Sequence, residues 1–256
     1  MKQEKIKLSV VLPAYNEAAN IRLGSIEQVF DYLKNQSYSF EVLIIDDGSS
    51  DETLKLIESE IKNKKDFILL KNPHKGKAIT VMSGLLASKG EIALFTDMDQ
   101  ATPLDQVEKF FPKFEDGFDV VIGSRHGRRG APLIRKLAAF VFATIRNLIL
   151  GLPFNDTQCG FKAFKRHAID RLIPPLLLQW RDINTSGAAV NAGFDVEILF
   201  LAKKMNLKIA EQDVEYHHVG SERVQIIKDS FEAITDILRI KYNDISRKYD
   251  KLVAKK

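Results

Sequence analysis

The chain has 256 residues, of which 45% are hydrophobic and 28% are charged, so we expect a soluble protein with a sizeable core. Its formal net charge of +4 is mild and gives no reason to expect a nucleic-acid partner. Cys159 is the single cysteine, which excludes an internal disulfide and favours an intracellular, reducing setting.

Predicted strands and helices alternate along the first half of the chain. Short β-branched or apolar runs predict strands at residues 8–12, 41–45, 67–70, 92–95 and 119–122. Helical spacing predicts helices at residues 17–33, 77–88 and 107–114, and a further helix capped by Asp51. This order predicts an α/β fold with a mostly parallel central sheet covered by helices on both faces.

The second half is less regular. Predicted helices cover residues 133–150, 194–205 and about 225–248, predicted strands cover 161–164 and 208–216, and residues 182–193 resemble a lid loop. The C-terminal helix is amphipathic, with a predicted apolar face at Ile227, Phe231, Ile234 and Leu238. We expect residues 1–256 to form a single domain that ends in this helix.

Three of the predicted strands are followed by short segments that carry polar side chains. The segments contain Pro13, Tyr15 and Glu17 after the first strand, Asp46 and Asp47 after the second, and Asp97, Met98 and Asp99 after the fourth. Because the carboxyl ends of parallel strands share one sheet edge, all three groups should meet there. A glycine-rich dinucleotide turn and a Walker lysine motif are both missing from this sequence.

Asp97 and Asp99 predict a metal site at this edge. Alternate residues of an extended chain point to the same side, so both carboxylates can face one spot. Two such oxygen ligands suit Mg²⁺ or Mn²⁺, with water and substrate phosphates completing the coordination. A solvated turn after a strand is the alternative interpretation.

Basic residues are unevenly distributed. Residues 120–155 contain no acidic side chain but include Arg125, Arg135 and Arg146, and residues 239–256 carry seven Lys or Arg against two Asp. This pattern suits a phosphate-bearing substrate or an anionic membrane surface, although ordinary solvated faces would also explain it. We expect no signal peptide, and no apolar stretch in the sequence reaches the length needed to span a bilayer.

Several motifs together resemble family 2 glycosyltransferases with the GT-A fold. They are Leu12-Pro-Ala-Tyr-Asn-Glu17, Ile45-Asp-Asp-Gly-Ser-Ser-Asp51, Thr96-Asp-Met-Asp99 and Val121-Ile-Gly-Ser-Arg125. The segment Asp156-Thr-Gln-Cys-Gly-Phe-Lys162 is more selective and resembles the dolichyl- or polyprenyl-phosphate glucosyltransferase branch. Mannosyl-transferring members carry Gln two residues after the second acidic ligand, where this chain has Ala101.

The resemblance implies roles for individual residues. Pro13, Tyr15 and Glu17 should line the nucleoside pocket, with Tyr15 packing on the base and Asp47 accepting a hydrogen bond from it. Asp46, Gly76, Lys77 and Met98 should border the donor, while Asp97 and Asp99 should lie at the metal. Arg125 and Arg135 should face the donor pyrophosphate or the acceptor phosphate.

The resemblance also implies the reaction. We expect inverting, metal-dependent transfer of a hexose, favouring glucose from UDP-glucose, to a dolichyl or polyprenyl phosphate. A lipid phosphate is already anionic, so no strong base is needed. Alternatives are a glycan hydroxyl as acceptor, for which Asp195 could be the base, GDP-mannose as donor, or a catalytically silent nucleotide-sugar-binding protein. We expect the protein on the cytoplasmic face of a membrane, bound peripherally.

Overall fold

A seven-stranded sheet organises the described part of the chain, which in this computed structural model comprises residues 5–125, 133–180, 192–217 and 226–253. Its strands are β1 (Leu8–Ala14), β2 (Phe40–Asp46), β3 (Phe67–Lys71), β4 (Ile92–Thr96), β5 (Val120–Ser124), β6 (Phe161–Lys165) and β7 (Ile209–Asp213). Their order across the sheet is β3-β2-β1-β4-β6-β5-β7. All but β6 pair in parallel where they meet, and β6 runs antiparallel to both β4 and β5.

Helices connect these strands. They are α1 (Ala18–Arg22), α2 (Ser25–Leu33), α3 (Thr53–Ile61), α4 (Lys77–Ala87), α5 (Phe111–Glu115), α6 (Leu133–Leu150), α7 (Arg166–Trp180), α8 (Ala192–Lys204), α9 (Ile226–Ile245) and α10 (Lys248–Val253), with a 3₁₀ helix at Leu104–Lys109. The predicted cap Asp51 lies one residue before the N-cap of α3, which is Glu52 and makes no side-chain capping bond; Asp51 instead accepts a 2.9 Å hydrogen bond from the N–H of Thr53, the first helical residue.

The sheet is buried on both faces, which confirms the predicted architecture. In β1, Val11 packs into one hydrophobic cluster, whereas Val10 and Leu12 pack into a second cluster. The first cluster includes residues of α4, α7, α8 and α9, and the second includes residues of α2 and α5. Because both faces are covered there, the central strands β1, β2 and β4 are mostly apolar and almost entirely buried.

Three local features differ from the sequence prediction. The helix predicted over 17–33 is two helices, because Gly24 adopts a φ of +85° at the start of α2. Helix α7 was not predicted, since Pro174 and Pro175 lie inside it and proline normally interrupts a helix. The reversed direction of β6 is also new, because a strand pattern carries no information on direction.

The buried face of α9 is rotated from the predicted one. Leu238 is 53% exposed, whereas Ala233, Ile237 and Ile240 are buried against the core. Among the described residues, no helix has the length and apolar character needed to cross a bilayer. The predicted lid at 182–193 lies almost entirely outside the described residues.

Candidate active site

The predicted convergence of strand ends is present in the structure. Strands β1, β2 and β4 end at one edge of the sheet, and β5 and β7 run in the same direction. Because β6 is antiparallel, the residues that precede it reach this edge too. A small cavity opens there, and its lining residues are Thr96, Asp97, Asp99, Ala101, Thr102, Arg125, Gln158, Gly160 and Tyr216.

Asp47 organises the loop that precedes α4. Its buried carboxylate accepts hydrogen bonds of 2.9 Å from the backbone N–H groups of Lys75 and Gly76. The Nδ1 atom of His74 lies 2.9 Å from the same carboxylate. Three contacts to one carboxylate hold the start of α4, and therefore Lys77, against the edge of the sheet.

The turns after β1 and β2 are joined by hydrogen bonds. Asn16, with a φ of +54°, accepts a bond from the Ser50 N–H at 2.9 Å, and the Glu17 N–H donates to Thr53 at 2.7 Å. Asp46 accepts from the backbone of Gly48 and Ser49 within its own turn. The first two motifs therefore form one surface.

Tyr15 and two apolar residues complete the predicted nucleoside side. The Tyr15 ring stacks on the His74 ring, with centroids 4.2 Å apart and planes inclined by 17°. Pro13 pairs with Ile45 of β2, which places it at the end of β1. Met98 is buried between the two acidic residues and packs into the core.

Asp97, Asp99 and Lys77 form the charged centre of the cavity. Lys77 Nζ lies 2.5 Å from Asp97 Oδ1. Burial alone would lower the pKa of Lys77, but the surrounding carboxylates, above all Asp97, outweigh burial and raise it. Burial raises the pKa of Asp99, and the negative charge of Asp97 raises it further. Two adjacent carboxylates that are partly withdrawn from water favour an additional cation.

These two carboxylates fit a divalent metal ion that is shared with a substrate. Among the described residues, no cluster of three or more His, Cys, Asp or Glu side chains could form a complete protein cage. Asp97 and Asp99 line the same cavity, so each could supply one oxygen ligand. Mg²⁺ and Mn²⁺ accept such incomplete protein sites when phosphate oxygens and water supply the rest.

Gly160 lies directly beneath Asp97. A Cβ atom built on Gly160 would stand 2.1 Å from Asp97 Oδ2, closer than any side chain could tolerate. The motif glycine is therefore required by the position of Asp97 rather than by its own backbone angles. The sequence motif includes this glycine but gives no reason for it. The reason is the antiparallel pairing of β6 with β4, which places Gly160 next to Asp97.

Replacing Gly160 with alanine should displace the Asp97 carboxylate by about 1 Å and reduce turnover roughly 100-fold, since misplaced catalytic groups lose about that much. The measurement is steady-state turnover of a nucleotide sugar, together with the melting temperature. Gly117→Ala is the control, because a Cβ on Gly117 meets nothing within 4 Å, although its φ of +87° adds some strain. Full activity of Gly160→Ala would contradict this geometry.

Arg125 is already paired. Its Nε and Nη2 atoms donate to the two carboxylate oxygens of Asp156 at 2.6 and 2.9 Å, and the Tyr216 ring lies 5.3 Å from the guanidinium. Asp156 therefore holds Arg125 at the cavity wall and compensates its charge. Arg135 lies in the first turn of α6, where the side chains are outside the described part of the structure.

Asp195, at the start of α8, is also paired. The fully buried Lys162 donates to Asp195 Oδ1 at 2.5 Å and to the Cys159 carbonyl at 2.5 Å. Lys162 is the last residue of the Asp156–Lys162 motif, but the sequence predicted no role for it. The sequence did contain a signal for this pair, because Lys162 lies between apolar residues of a predicted strand. A buried ammonium at such a position needs a carboxylate partner.

Solved structures with the same fold come from several sugar transferases. Mannosyl-3-phosphoglycerate synthase from Rubrobacter xylanophilus is 18% identical, with a TM-score of 0.65 over 91% of this chain and 73% of that one. Glucosyl-3-phosphoglycerate synthase from Mycobacterium tuberculosis, solved with Mn²⁺, UDP and glucosyl-3-phosphoglycerate, is 22% identical, with a TM-score of 0.63 over 92% and 80%. The structural similarity establishes the GT-A fold, and at such low sequence identities it establishes nothing further.

Relatives in sequence match nearly the whole chain. A dolichyl-phosphate beta-glucosyltransferase of Dictyostelium discoideum is 34% identical over 93% of this chain and 75% of its own length. The protein of the same name from Saccharomyces cerevisiae is 33% identical over the same shares. The sequence model of the family described as "Glycosyl transferase family 2" matches residues 9–173. This chain therefore belongs to glycosyltransferase family 2.

Proposed function

We propose that this protein transfers glucose from UDP-glucose to a dolichyl or polyprenyl phosphate, with inversion at the transferred carbon. The observation that carries the proposal is a match along most of the chain to proteins named for this activity, among them one of Dictyostelium discoideum at 34% identity and one of Homo sapiens at 28%. An undecaprenyl-phosphate 4-deoxy-4-formamido-L-arabinose transferase of Proteus mirabilis, 29% identical over 66% of this chain, supports a lipid phosphate acceptor more broadly.

On the donor side, we assign the nucleoside to the joined turns after β1 and β2. Pro13, Tyr15 and Glu17 would border it, and the Tyr15–His74 stack offers an aromatic surface for a base. Asp46 stabilises the turn after β2 by accepting a hydrogen bond from the Gly48 N–H. Asp47 already binds the loop at Gly76, so its proposed bond to the base would be shared with that loop.

The donor diphosphate would lie over Asp97 and Asp99. A divalent cation held there would neutralise the charge of the departing diphosphate. Lys77 would orient Asp97 through their 2.5 Å contact. Met98 would fix the spacing between the two carboxylates because its own side chain is buried in the core.

The acceptor side favours an anionic nucleophile. A hydroxyl acceptor requires a free base, but Asp195, the sequence candidate for that role, is engaged by the buried Lys162. A phosphate acceptor needs no base and instead needs cations that bring two anions together. Arg135 at the start of α6 is our candidate for that task. Arg125 shares its charge with Asp156 and would instead orient the phosphate through the N–H groups that it presents at the cavity wall.

The test is transfer by the purified full chain in the presence of Mg²⁺ or Mn²⁺. We expect product from UDP-glucose and polyprenyl phosphate, and none when the acceptor is the matching polyprenol, which lacks the phosphate. GDP-mannose should be a poor donor. Transfer to polyprenol or to a glycan would overturn the acceptor assignment, and a preference for GDP-mannose would overturn the donor assignment.

Asp195→Asn separates the two acceptor classes. Asparagine retains an oxygen that can accept from Lys162 but leaves the buried ammonium without its counterion, so the melting temperature should fall. At a temperature where the variant is still folded, lipid-phosphate transfer should fall less than about tenfold, whereas loss of a general base costs typically about 100-fold or more. A loss of about 100-fold in the folded variant would favour the hydroxyl-acceptor mechanism.

The proposed acceptor is a membrane lipid, so we also propose peripheral attachment on the cytoplasmic face. Its support is the basic C-terminal segment, residues 239–256, which would be attracted to anionic lipid headgroups. We further propose that the described elements form one domain, which thermal unfolding can test.

A further inference from the structure

Helix α6 turns an apolar face outward. Phe140 is 70% exposed and Leu148 is 82% exposed, and Val141 is exposed beside them. These residues recur at the spacing of one helix face, whereas Phe142, Ile145 and Ile149 of the same helix pack against the core. The helix is therefore apolar on both its inner and its outer side.

Helix α9 shows the same pattern. Leu238, Tyr242 and Ile245 are exposed, the last two at 71%, and they follow one another at intervals of four and three residues. The buried side of α9 is formed by Ile237 and Ile240. We call the outward side chains of Phe140, Val141, Leu148, Leu238, Tyr242 and Ile245 the α6/α9 face.

The two helices are in contact with each other, and each also contacts a segment that lies next to a candidate site residue in the sequence. In α6, Arg146 donates to Thr157, the neighbour of the Asp156 that holds Arg125. In α9, Asp236 lies against Gly193, two residues before Asp195. A surface that bound the α6/α9 face would therefore be held beside the cavity.

Charge near this face favours an anionic occupant. Arg247 and Lys248 are exposed just beyond Ile245, and the sequence from 239 to 256 carries seven Lys or Arg against two Asp, although Lys251, Lys255 and Lys256 lie outside the described side chains. A second copy of the chain packed on this face would bring two such segments together, with repulsion between like charges. An anionic bilayer would combine apolar burial with electrostatic attraction.

We propose that the α6/α9 face rests on the surface of an anionic lipid bilayer and thereby presents the cavity to an acceptor phosphate in that bilayer. This inference rests on the proposed function for its acceptor, but the contact itself is independent of catalysis. The apolar side chains enter the headgroup boundary, and the flanking cations remain among the lipid phosphates.

The test is sedimentation of the full chain with phosphatidylcholine vesicles, with and without phosphatidylserine. The wild type should bind the phosphatidylserine vesicles, and added salt should weaken binding because it screens the charges. The combined variant L148Q/Y242Q/I245Q should lose at least about tenfold in binding, because three side chains no longer leave water. Leu23→Gln is the control, since Leu23 is 77% exposed between α1 and α2.

Transfer assays separate this inference from the proposed function. The combined variant should match the wild type on a short, water-soluble polyprenyl phosphate and be at least about tenfold slower on the same headgroup in vesicles. If no lipid phosphate is glycosylated, the proposed function fails, while vesicle sedimentation still decides the contact. A wild type that does not bind vesicles, or a dimer that the combined variant converts to a monomer, would overturn the membrane contact.

Discussion

Asp99→Asn should reduce metal-dependent turnover of the nucleotide sugar at least about 1000-fold. The variant removes one of the two negative charges that we assign to the cation. Metal stabilisation of a departing diphosphate contributes several kcal/mol, and about 1.4 kcal/mol corresponds to each tenfold in rate. The fold should be unaffected, because the hydrogen bond that Asp99 Oδ1 accepts from the Ala101 N–H at 3.0 Å can be accepted by asparagine.

Turnover would be measured against Mn²⁺ concentration, with the melting temperature recorded for each protein. Asp105→Asn serves as the matched control, because Asp105 is an exposed carboxylate in the nearby 3₁₀ helix and does not line the cavity. We expect it to behave as the wild type. Wild-type turnover of Asp99→Asn at limiting Mn²⁺ would rule out the metal role of this residue.

Glu197→Ala should destabilise the protein by about 4 kcal/mol, because it leaves several buried donors without an acceptor. Glu197 in α8 is fully buried and accepts hydrogen bonds from Trp180 at 3.0 Å and Tyr249 at 2.5 Å. Arg239 Nη1 lies 3.3 Å from the same carboxylate. One side chain therefore joins α7, α9 and α10 to α8.

Thermal unfolding measures this effect, and we expect the melting temperature to fall by roughly 10 °C. Glu197→Gln should lose less, since its amide oxygen still accepts one hydrogen bond. Glu91→Ala should change stability by less than about 1 kcal/mol, because Glu91 forms only an exposed 3.8 Å pair with Lys7. A single transition, shifted as a whole, would support one domain, whereas a shift confined to a separate C-terminal transition would contradict that proposal.

Burial and the neighbouring Glu197 carboxylate determine the protonation of Tyr249. Burial raises the pKa of its phenol, and the adjacent Glu197 carboxylate raises it further. The phenol is therefore the hydrogen-bond donor in this pair, and Glu197 is the acceptor. Burial likewise raises the pKa of the Cys159 thiol to about 11. The thiol therefore stays protonated near neutral pH and serves as a packed apolar side chain.

Local pattern was enough to predict the fold class and the edge of the sheet where the acidic residues meet. Alternating apolar runs and helical spacing identified the strands, and carboxylates directly after β2 and β4 must lie at the carboxyl edge of a parallel sheet. These properties depend on neighbours within a few residues along the chain. Family motifs then pointed to the reaction.

Only the folded chain revealed which partner each charged residue has. Arg125 is neutralised by Asp156, Asp195 is held by Lys162 across 33 positions of the chain, and Gly160 leaves room for Asp97. Such pairs depend on the reversed direction of β6, which no strand pattern encodes. Burial makes them obligatory, because a charge removed from water must find its counterion wherever the packing of the chain brings one within reach.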